Sequence, residues 1–380
     1  MSGSATGERL RPSVQHPLMG ARLTNLVRAL IANGGVSPRY FGLVGLMGLS
    51  AATRSLFHPL EAASYSWQAG RAPPRESPLI ILGHWRTGTT HLHNLMGCSP
   101  SYGAISPLAS GLPDQIMTLG TWLKPMLERA LPEDRKVDPV AVTPDSPQED
   151  EIPLANQQPL SVFHALYFPR HFQTLFNRGV FFEGASDADI ARWQRLTAHF
   201  ADKIAVHERK PRLVIKNPVY TARIKRLLAI WPNARFIHIR RNPYEVFVST
   251  CRYYRQLLDE LALQPSGSLD IEGFVLETFK RLMAAYEAER SQVPQGHLAE
   301  VSYEQLCDEP LPLLETLHDQ LGLPGWRETR PRIADYLKQI SDYRTNAYNV
   351  SNDAVCKVDA HWAGAVAEWK ERCAKGLSSF

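Results

Sequence analysis

Four short, mostly apolar runs predict the strands of one central sheet. They span residues 79–82, 213–215, 235–239 and 298–301, and each is followed by glycine, proline or polar residues. Runs of this length and setting are typical of buried strands. Segments with helical spacing separate them, which favours an α/β fold with a parallel sheet flanked by helices.

The segments between these runs show the spacing of amphipathic helices. Ser186 and Asp189 start one that continues to about Val206, because a serine N-cap with an acidic residue three positions later is a helix start signal. Asn242 as N-cap and Pro243 at the first helical position start another. Further helices are predicted at 221–231, 271–292 and 311–321, and a last one carries Trp362, Val366 and Trp369.

The N-terminal part differs from the rest. Residues 1 to about 20 are rich in Ser, Gly, Pro and Arg, which predicts disorder. Residues 21–75 are predicted to form a helical arm, and residues 76–380 the main domain. Within the arm, residues 40–52 form an apolar run that is too short to span a bilayer. It either packs on the domain or contacts a membrane surface or a lipid.

Composition narrows the class of protein. The 380 residues have a net charge of only +4, which does not indicate a nucleic-acid binder. The five cysteines are scattered, without a C-x-x-C pair, as is usual in a reducing compartment. The first residues lack the apolar core of a signal peptide. Together these features predict a cytoplasmic protein without a transmembrane segment.

The segment 83–90, GHWRTGTT, follows the first strand and precedes a helix. Backbone amides at such a helix start bind anions. Three of its residues fit the P-loop pattern G-x-x-x-x-G-K-[ST]: Gly83, Gly88 and Thr90. Thr89 stands at the lysine position, and Arg86 supplies a cation instead. The loop therefore predicts a phosphate site without the lysine that ATP requires, although a plain helix-capping turn is the alternative.

Two further sites follow strands of the predicted sheet. Lys216 ends the run 213–215, at the edge where ligands bind in open parallel sheets. Arg241 follows the run 235–239, and Ser249 lies two turns into the next helix. An arginine and a hydroxyl in this arrangement can face one phosphate, with the arginine bidentate. The alternative is an arginine that caps neighbouring carbonyls.

At these residues the chain resembles the sulfotransferases that use 3′-phosphoadenosine 5′-phosphosulfate, PAPS. Arg86 to Thr90 resembles their 5′-phosphosulfate loop, Arg241 with Ser249 their 3′-phosphate motif, and Tyr303 a tyrosine near the adenine. The resemblance covers about residues 78–321 and implies a P-loop-like fold. It implies that PAPS is bound by these residues: Arg86, Thr87, Gly88, Thr89, Thr90, Arg241, Ser249 and Tyr303. Arg344 is a further candidate for the 3′-phosphate.

At the position of the general base this chain differs from the cytosolic branch of the family. That branch has a histidine where this chain has Pro218. The acidic run 149–151 resembles a P-Q-E-D-E segment of a bacterial branch, and Glu149 is the first candidate for the base. The run is equally suited to starting a helix. His91 and His93 are the other candidates.

The resemblance implies transfer of a sulfuryl group from PAPS to a hydroxyl or amine of a small-molecule, lipid or glycan acceptor. Arg86, Lys216 and Glu149 are the predicted catalytic residues, and no metal is required because the cations are side chains. Two alternatives remain open at this point. One is a P-loop kinase with a degenerate loop, and the other is a PAPS- or nucleotide-binding protein without catalysis. The acceptor and the oligomeric state are not predicted.

Overall fold

The computed structural model describes residues 16–130, 146–267, 269–340 and 349–374. Its centre is one sheet of five parallel strands in the order β2-β3-β1-β4-β5. The strands are β1 Leu79–Leu82, β2 Tyr102–Gly103, β3 Arg212–Lys216, β4 Arg235–Arg240 and β5 Leu298–Ser302. The parallel sheet predicted from the sequence is confirmed.

The strand β2 is absent from the sequence prediction. It pairs Tyr102 with Arg212 and Gly103 with Leu213 at one edge of the sheet. A two-residue strand has no periodicity that a sequence pattern can show, and only its pairing with β3 defines it. Neighbouring strands β1 and β4 pair in register from Leu79 with Arg235 onward.

Helices cover both faces of the sheet. The first nine are α1 Leu23–Ala32, α2 Phe41–Ser55, α3 His58–Ala69, α4 Thr89–Gly97, α5 Pro107–Gly111, α6 Thr121–Ala130, α7 Glu151–Gln157, α8 Phe163–Tyr167 and α9 Phe172–Phe181. The others are α10 Asp187–Glu208, α11 Ile224–Ile230, α12 Pro243–Leu261, α13 Ile271–Glu289, α14 Tyr303–Asp308, α15 Pro310–Leu321, α16 Trp326–Gln339, α17 Asn352–His361 and α18 Ala363–Ala374.

The helix starts predicted from capping residues are confirmed. Ser186 and Asp189 form a reciprocal capping box at the start of α10. Asn242 accepts a hydrogen bond from the Tyr244 amide at 3.0 Å at the start of α12. These signals are local, because each involves side chains and amides within one turn of the helix.

Two predicted helices are interrupted. The segment 221–231 is a 3₁₀ turn, Pro218–Ala222, followed by α11. Between them Arg223 leaves the helical conformation, with φ of −138°, and its buried guanidinium donates to the carbonyls of Gly179 and Val180. In place of the last predicted helix the structure has two, α17 and α18, which meet at Trp362. The indole of Trp362 donates to the Leu276 carbonyl at 2.9 Å.

Side chains of the central strand point alternately to the two faces of the sheet. Leu79 and Ile81 join a core cluster with α4 and α14 to α16. Ile80 and Leu82 join a second cluster with α10 and α11. Because both faces are covered, the strand is apolar throughout, as is usual in parallel sheets.

A short 3₁₀ helix, Pro17–Gly20, precedes the N-terminal arm and packs against α2 of the arm and against α5 and α7 of the domain. Leu18 in this helix is fully buried, and Arg54 of α2 donates to the carbonyls of Met19 and Ala21 at 2.7 and 2.8 Å. The predicted disorder is therefore wrong for residues 16–20, because apolar contacts and these hydrogen bonds hold them. Residues 1–15 lie outside the described ranges. Within those ranges no helix has the length and apolar character needed to cross a bilayer.

Candidate active site

The loop between β1 and α4 is a tight turn with two left-handed residues. Thr87 donates to the His84 carbonyl from its amide at 3.3 Å and from its hydroxyl at 2.7 Å. Arg86 has φ of 69°, and Gly88 has φ of 95°. A Cβ at Gly88 would also collide with the ring of Tyr303, so this position requires glycine. Because α4 begins directly afterwards, its first amides lie at the carboxyl edge of the sheet.

The backbone of Arg86 places its side chain against α12. Its Nε donates to Ser249 Oγ at 2.9 Å, and its guanidinium lies 5.7 Å from the ring centroid of Tyr253. A left-handed conformation costs a non-glycine residue about 1–3 kcal/mol, and such residues cluster where ligands bind. The strained arginine is consistent with an anion site at this loop.

Lys216 lies beside the loop, at the end of the strand next to β1. Its side chain is 4% exposed, and its Nζ lies 3.4 Å from Thr90 Oγ1. The same ammonium forms an ion pair with Glu149, whose side chain is 24% exposed. A buried ammonium needs a negative partner. Glu149 is that negative partner, and its side chain remains partly accessible to solvent.

A cavity of about 270 Å³ lies over these groups. Its polar wall includes Arg86, Thr89, Thr90, Glu149 and Lys216. Its apolar wall comes from other elements and includes Trp85, Ile152, Phe163, Leu257 and Leu261. The cavity therefore combines an anion-binding wall with an apolar one. Pro218, at the position of the missing histidine, also lines it.

The other two acids of the run are buried. Asp150 accepts hydrogen bonds from Asn217 Nδ2 at 2.8 Å and from the Tyr220 hydroxyl. Glu151 accepts from Asn217 Nδ2 at 2.8 Å and from the Val162 amide at 3.0 Å. Burial raises the pKa of Asp150 to about 7, and the neighbouring Glu151 adds to this rise. The run does begin α7, at Glu151, and of its three acids Glu149 is the one that lines the cavity.

The residues predicted for the 3′-phosphate converge on Arg86. Arg241 donates to the Arg86 carbonyl at 3.3 Å, lies 4.4 Å from the ring centroid of Tyr303, and pairs with Glu245. Ser249 is buried and accepts from Arg86. The fold thus brings together four predicted residues that are up to 217 positions apart, from Arg86 to Tyr303.

The two histidine candidates are placed less favourably. His93 is fully buried, with Nε2 3.3 Å from the Val214 carbonyl under the sheet. His91 does not line the cavity, and burial lowers its pKa to about 4. Arg344 lies outside the described residues. The geometry therefore favours Glu149 among the candidate bases.

A larger cavity of about 420 Å³ lies beneath the C-terminal helices. It is bordered by Thr87 and Arg241, and its other walls come from β4, the end of β5 and the helices α13, α14, α17 and α18. Arg86, Lys216 and Glu149 do not line it. Size therefore does not identify the reactive site here, and the smaller cavity contains the groups that carry chemistry.

Two contributors to the site were missed from the sequence. Asn217 is fully buried and bridges Asp150 and Glu151, and its place directly after a strand-end lysine was the available signal. Tyr253 lines the cavity beneath Arg86. It lies four residues after Ser249, so helical spacing already placed it on the same face of α12.

The fold and the site define an α/β protein with a phosphate-type loop that replaces the Walker lysine by threonine. A profile of the sulfotransferase family matches residues 78–328. The chain belongs to the sulfotransferase family and is a sulfotransferase.

Relatives and solved structures agree with this assignment. The omega-hydroxy-beta-dihydromenaquinone-9 sulfotransferase Stf3 of Mycobacterium bovis is 30% identical over 287 residues, 76% of this chain and 73% of the relative. The sulfotransferase STF9 of Mycobacterium avium has a TM-score of 0.64 at 17% identity and covers 92% of this chain and 96% of its own. STF1 of Mycobacterium tuberculosis has a TM-score of 0.60 at 18% identity, covering 90% and 91%. The last two show the fold.

Proposed function

We propose that this enzyme transfers a sulfuryl group from PAPS to a hydroxyl of a lipid-like acceptor. The observation that carries the proposal is the Lys216–Glu149 ion pair, which lies beside Arg86 and the start of α4 in one cavity. Two cations, Lys216 and Arg86, and one carboxylate thus line the same cavity, which supports transfer of a sulfuryl group to an acceptor there.

The donor's two phosphates have separate groups to hold them. The amides of residues 88–90 and the hydroxyls of Thr89 and Thr90 suit the 5′-phosphosulfate. Arg241 and Ser249 suit the 3′-phosphate, since the guanidinium and the hydroxyl both contact Arg86, Arg241 at its carbonyl and Ser249 at its Nε. Arg241 now pairs with Glu245, and a phosphate would replace that carboxylate with a stronger anionic partner.

The chemistry needs charge stabilisation and one proton transfer. Lys216 and Arg86 stabilise the negative charge that develops on the departing phosphate oxygen. Glu149 accepts the proton of the acceptor hydroxyl, whose oxygen forms the new bond to sulfur as the bond from sulfur to the phosphate oxygen breaks. Because the Glu149 carboxylate contacts the Lys216 ammonium, the proposed base lies directly beside a cation of the anion site.

The acceptor class rests on the apolar wall of the cavity and on a relative. Phe163, Leu257 and Leu261 suit a hydrocarbon chain next to the reacting hydroxyl. The relative Stf3 is named for a hydroxylated menaquinone, a prenylated quinone. A hydroxyl on a prenyl or related lipid chain is therefore the acceptor that we propose for this enzyme.

Ligand binding followed by turnover tests this function. Adenosine 3′,5′-bisphosphate should raise the melting temperature more than adenosine 5′-monophosphate, and Arg241→Ala should remove that difference. ATP with magnesium should have little effect on the melting temperature, because Thr89 stands at the position of the lysine that binds the phosphates of ATP in a P-loop. Labelled PAPS should then sulfate hydroxylated prenyl lipids. Stabilisation by ATP alone would favour the kinase, and transfer to a glycan or amine alone would refute the lipid acceptor.

A further inference from the structure

The exposed large apolar side chains of the described residues are concentrated in one region. Nine of ten belong to the N-terminal arm: Leu23, Val27, Ile31, Phe41, Leu46, Leu49, Leu56, Leu60 and Trp67. The tenth, Trp122 of α6, contacts the arm through the ring of Phe57, with centroids 6.4 Å apart. Single exposed apolar residues are ordinary, whereas a concentration of this kind marks an interaction surface.

The spacing of these residues forms stripes on the outer side of the arm. Leu23, Val27 and Ile31 recur every four residues along α1. Phe41, Leu49 and Leu56 recur at seven or eight residues along α2 and its end, which again keeps one face. We call this outer side of α1 to α3 the arm face. Its buried opposite side packs on the domain, so the arm face is the part that has no covering element in the described chain.

The charges of the arm face are all positive. Between residues 21 and 70 the exposed charged residues are Arg28 and Arg39. The one acid of this stretch, Glu61, is buried and accepts from the Thr118 hydroxyl. A second copy of the arm face would bring like charges together without acids to pair them. An anionic lipid surface offers apolar depth and negative charge at once.

The arm face is also connected to the cavity. Arg54 of α2 donates to the carbonyls of Met19 and Ala21, in and directly after the short helix Pro17–Gly20, and this helix contributes Pro17 to the cavity wall. A surface that rests on a bilayer at this point would lie beside the site where a lipid-like acceptor enters.

We infer that the arm face docks on the surface of an anionic phospholipid membrane and so presents the cavity to an acceptor held in the bilayer. The helices lie in the interface and do not cross it, since no described helix is long and apolar enough to do so. The part about the acceptor rests on the proposed function. The docking itself does not.

Vesicle co-sedimentation of the full chain tests the docking. Vesicles of phosphatidylcholine with an equal part of phosphatidylglycerol should sediment the protein, and vesicles of phosphatidylcholine alone should do so much less. The double variant Leu49→Asp/Leu56→Asp should lower the partition coefficient by about 100-fold or more. Each substitution removes an apolar side chain that would enter the membrane and adds a negative charge. Arg28→Gln/Arg39→Gln should lower it roughly tenfold on the anionic vesicles.

The control is a variant with the same change of charge elsewhere. Gln320→Asp/Gln339→Asp alters exposed positions on α15 and α16, and it should sediment like the wild type. Adenosine 3′,5′-bisphosphate should stabilise all variants equally, which shows that they are folded. Turnover of a water-soluble short-chain acceptor should be unchanged in Leu49→Asp/Leu56→Asp, while turnover of a long-chain acceptor in vesicles should fall with vesicle binding.

Three results would overturn the inference. The wild type could stay in the supernatant at every concentration of anionic vesicles. The arm variant could bind vesicles as well as the control variant does. Sedimentation velocity without lipid could show a dimer that Leu49→Asp/Leu56→Asp dissociates, which would make the arm face a contact between copies. A failure of the proposed reaction would appear instead as absent turnover with vesicle binding intact.

Discussion

The cavity wall and the buried network beneath it are built from neighbouring residues of the same two segments and behave in opposite ways. Lys216 and Glu149 meet at the cavity, whereas Asn217, Asp150 and Glu151 meet one residue further along the same two segments. The first pair keeps contact with a space that a ligand can enter. The second group is at most 2% exposed, so its polar atoms form hydrogen bonds with one another and with the backbone.

The difference teaches what each group contributes. The Nδ2 of Asn217 donates to Asp150 and to Glu151, at 2.8 Å each, and thereby ties the acidic segment to the end of β3. The buried network therefore contributes to the stability of the fold and the reactive pair to turnover, and substitutions should separate the two.

The largest effect is expected at Lys216. Lys216→Met should lower kcat by about 10³-fold, roughly 4 kcal/mol of transition-state stabilisation, because no other described lysine lines the cavity. The free energy of unfolding should change much less. Lys225→Met, on the exposed side of α11, is the matched control and should keep its kcat within about twofold. Turnover within tenfold of the wild type in Lys216→Met would show that this cation is dispensable.

Glu149→Gln should lower turnover by about 10²-fold or more and leave binding of adenosine 3′,5′-bisphosphate within about threefold. The glutamine keeps the shape of the side chain but cannot take the acceptor's proton. Steady-state kinetics and calorimetry give the two numbers. If turnover survives here and collapses in His91→Ala with cofactor binding intact, the base is the histidine.

Glu151→Gln makes the comparison sharper, because it changes the same residue type two positions away. The amide cannot accept from both Asn217 and the Val162 amide as the carboxylate does. We expect the free energy of unfolding to fall by about 2 kcal/mol, measured by urea denaturation, while kcat of the folded protein changes by less than about threefold. A loss of turnover equal to that of Glu149→Gln, without a loss of stability, would remove the distinction between wall and network.

The smallest effect concerns pH. Burial raises the pKa of Asp150 from 3.8 to about 7, so between these values the folded protein holds a proton that the unfolded chain has released. The contribution of Asp150 to stability is complete below about pH 4 and is lost as the pH rises through 7. Relative to the wild type, Asp150→Asn should therefore gain roughly 1–2 kcal/mol between pH 6 and pH 8. Parallel pH profiles of the two proteins would contradict a buried titrating carboxyl.

Much of the fold could be predicted from the sequence because its signals are local. The run 79–82 and the glycines after it define a strand and a turn without reference to distant residues. Ser186 and Asn242 start their helices through hydrogen bonds within one turn. The loop and the pair Arg241 and Ser249 were predicted for the same reason, since each is a short pattern beside a strand.

The tertiary structure alone decided the rest. Glu149, Asp150 and Glu151 look alike in the sequence, and only the packing of β3 and α7 determines which carboxylate remains at a cavity and which lose their water. The break of the helix at Arg223 depends on carbonyls 43 and 44 positions away. Solvation of a charged side chain is set by everything packed around it, and no short pattern contains those partners.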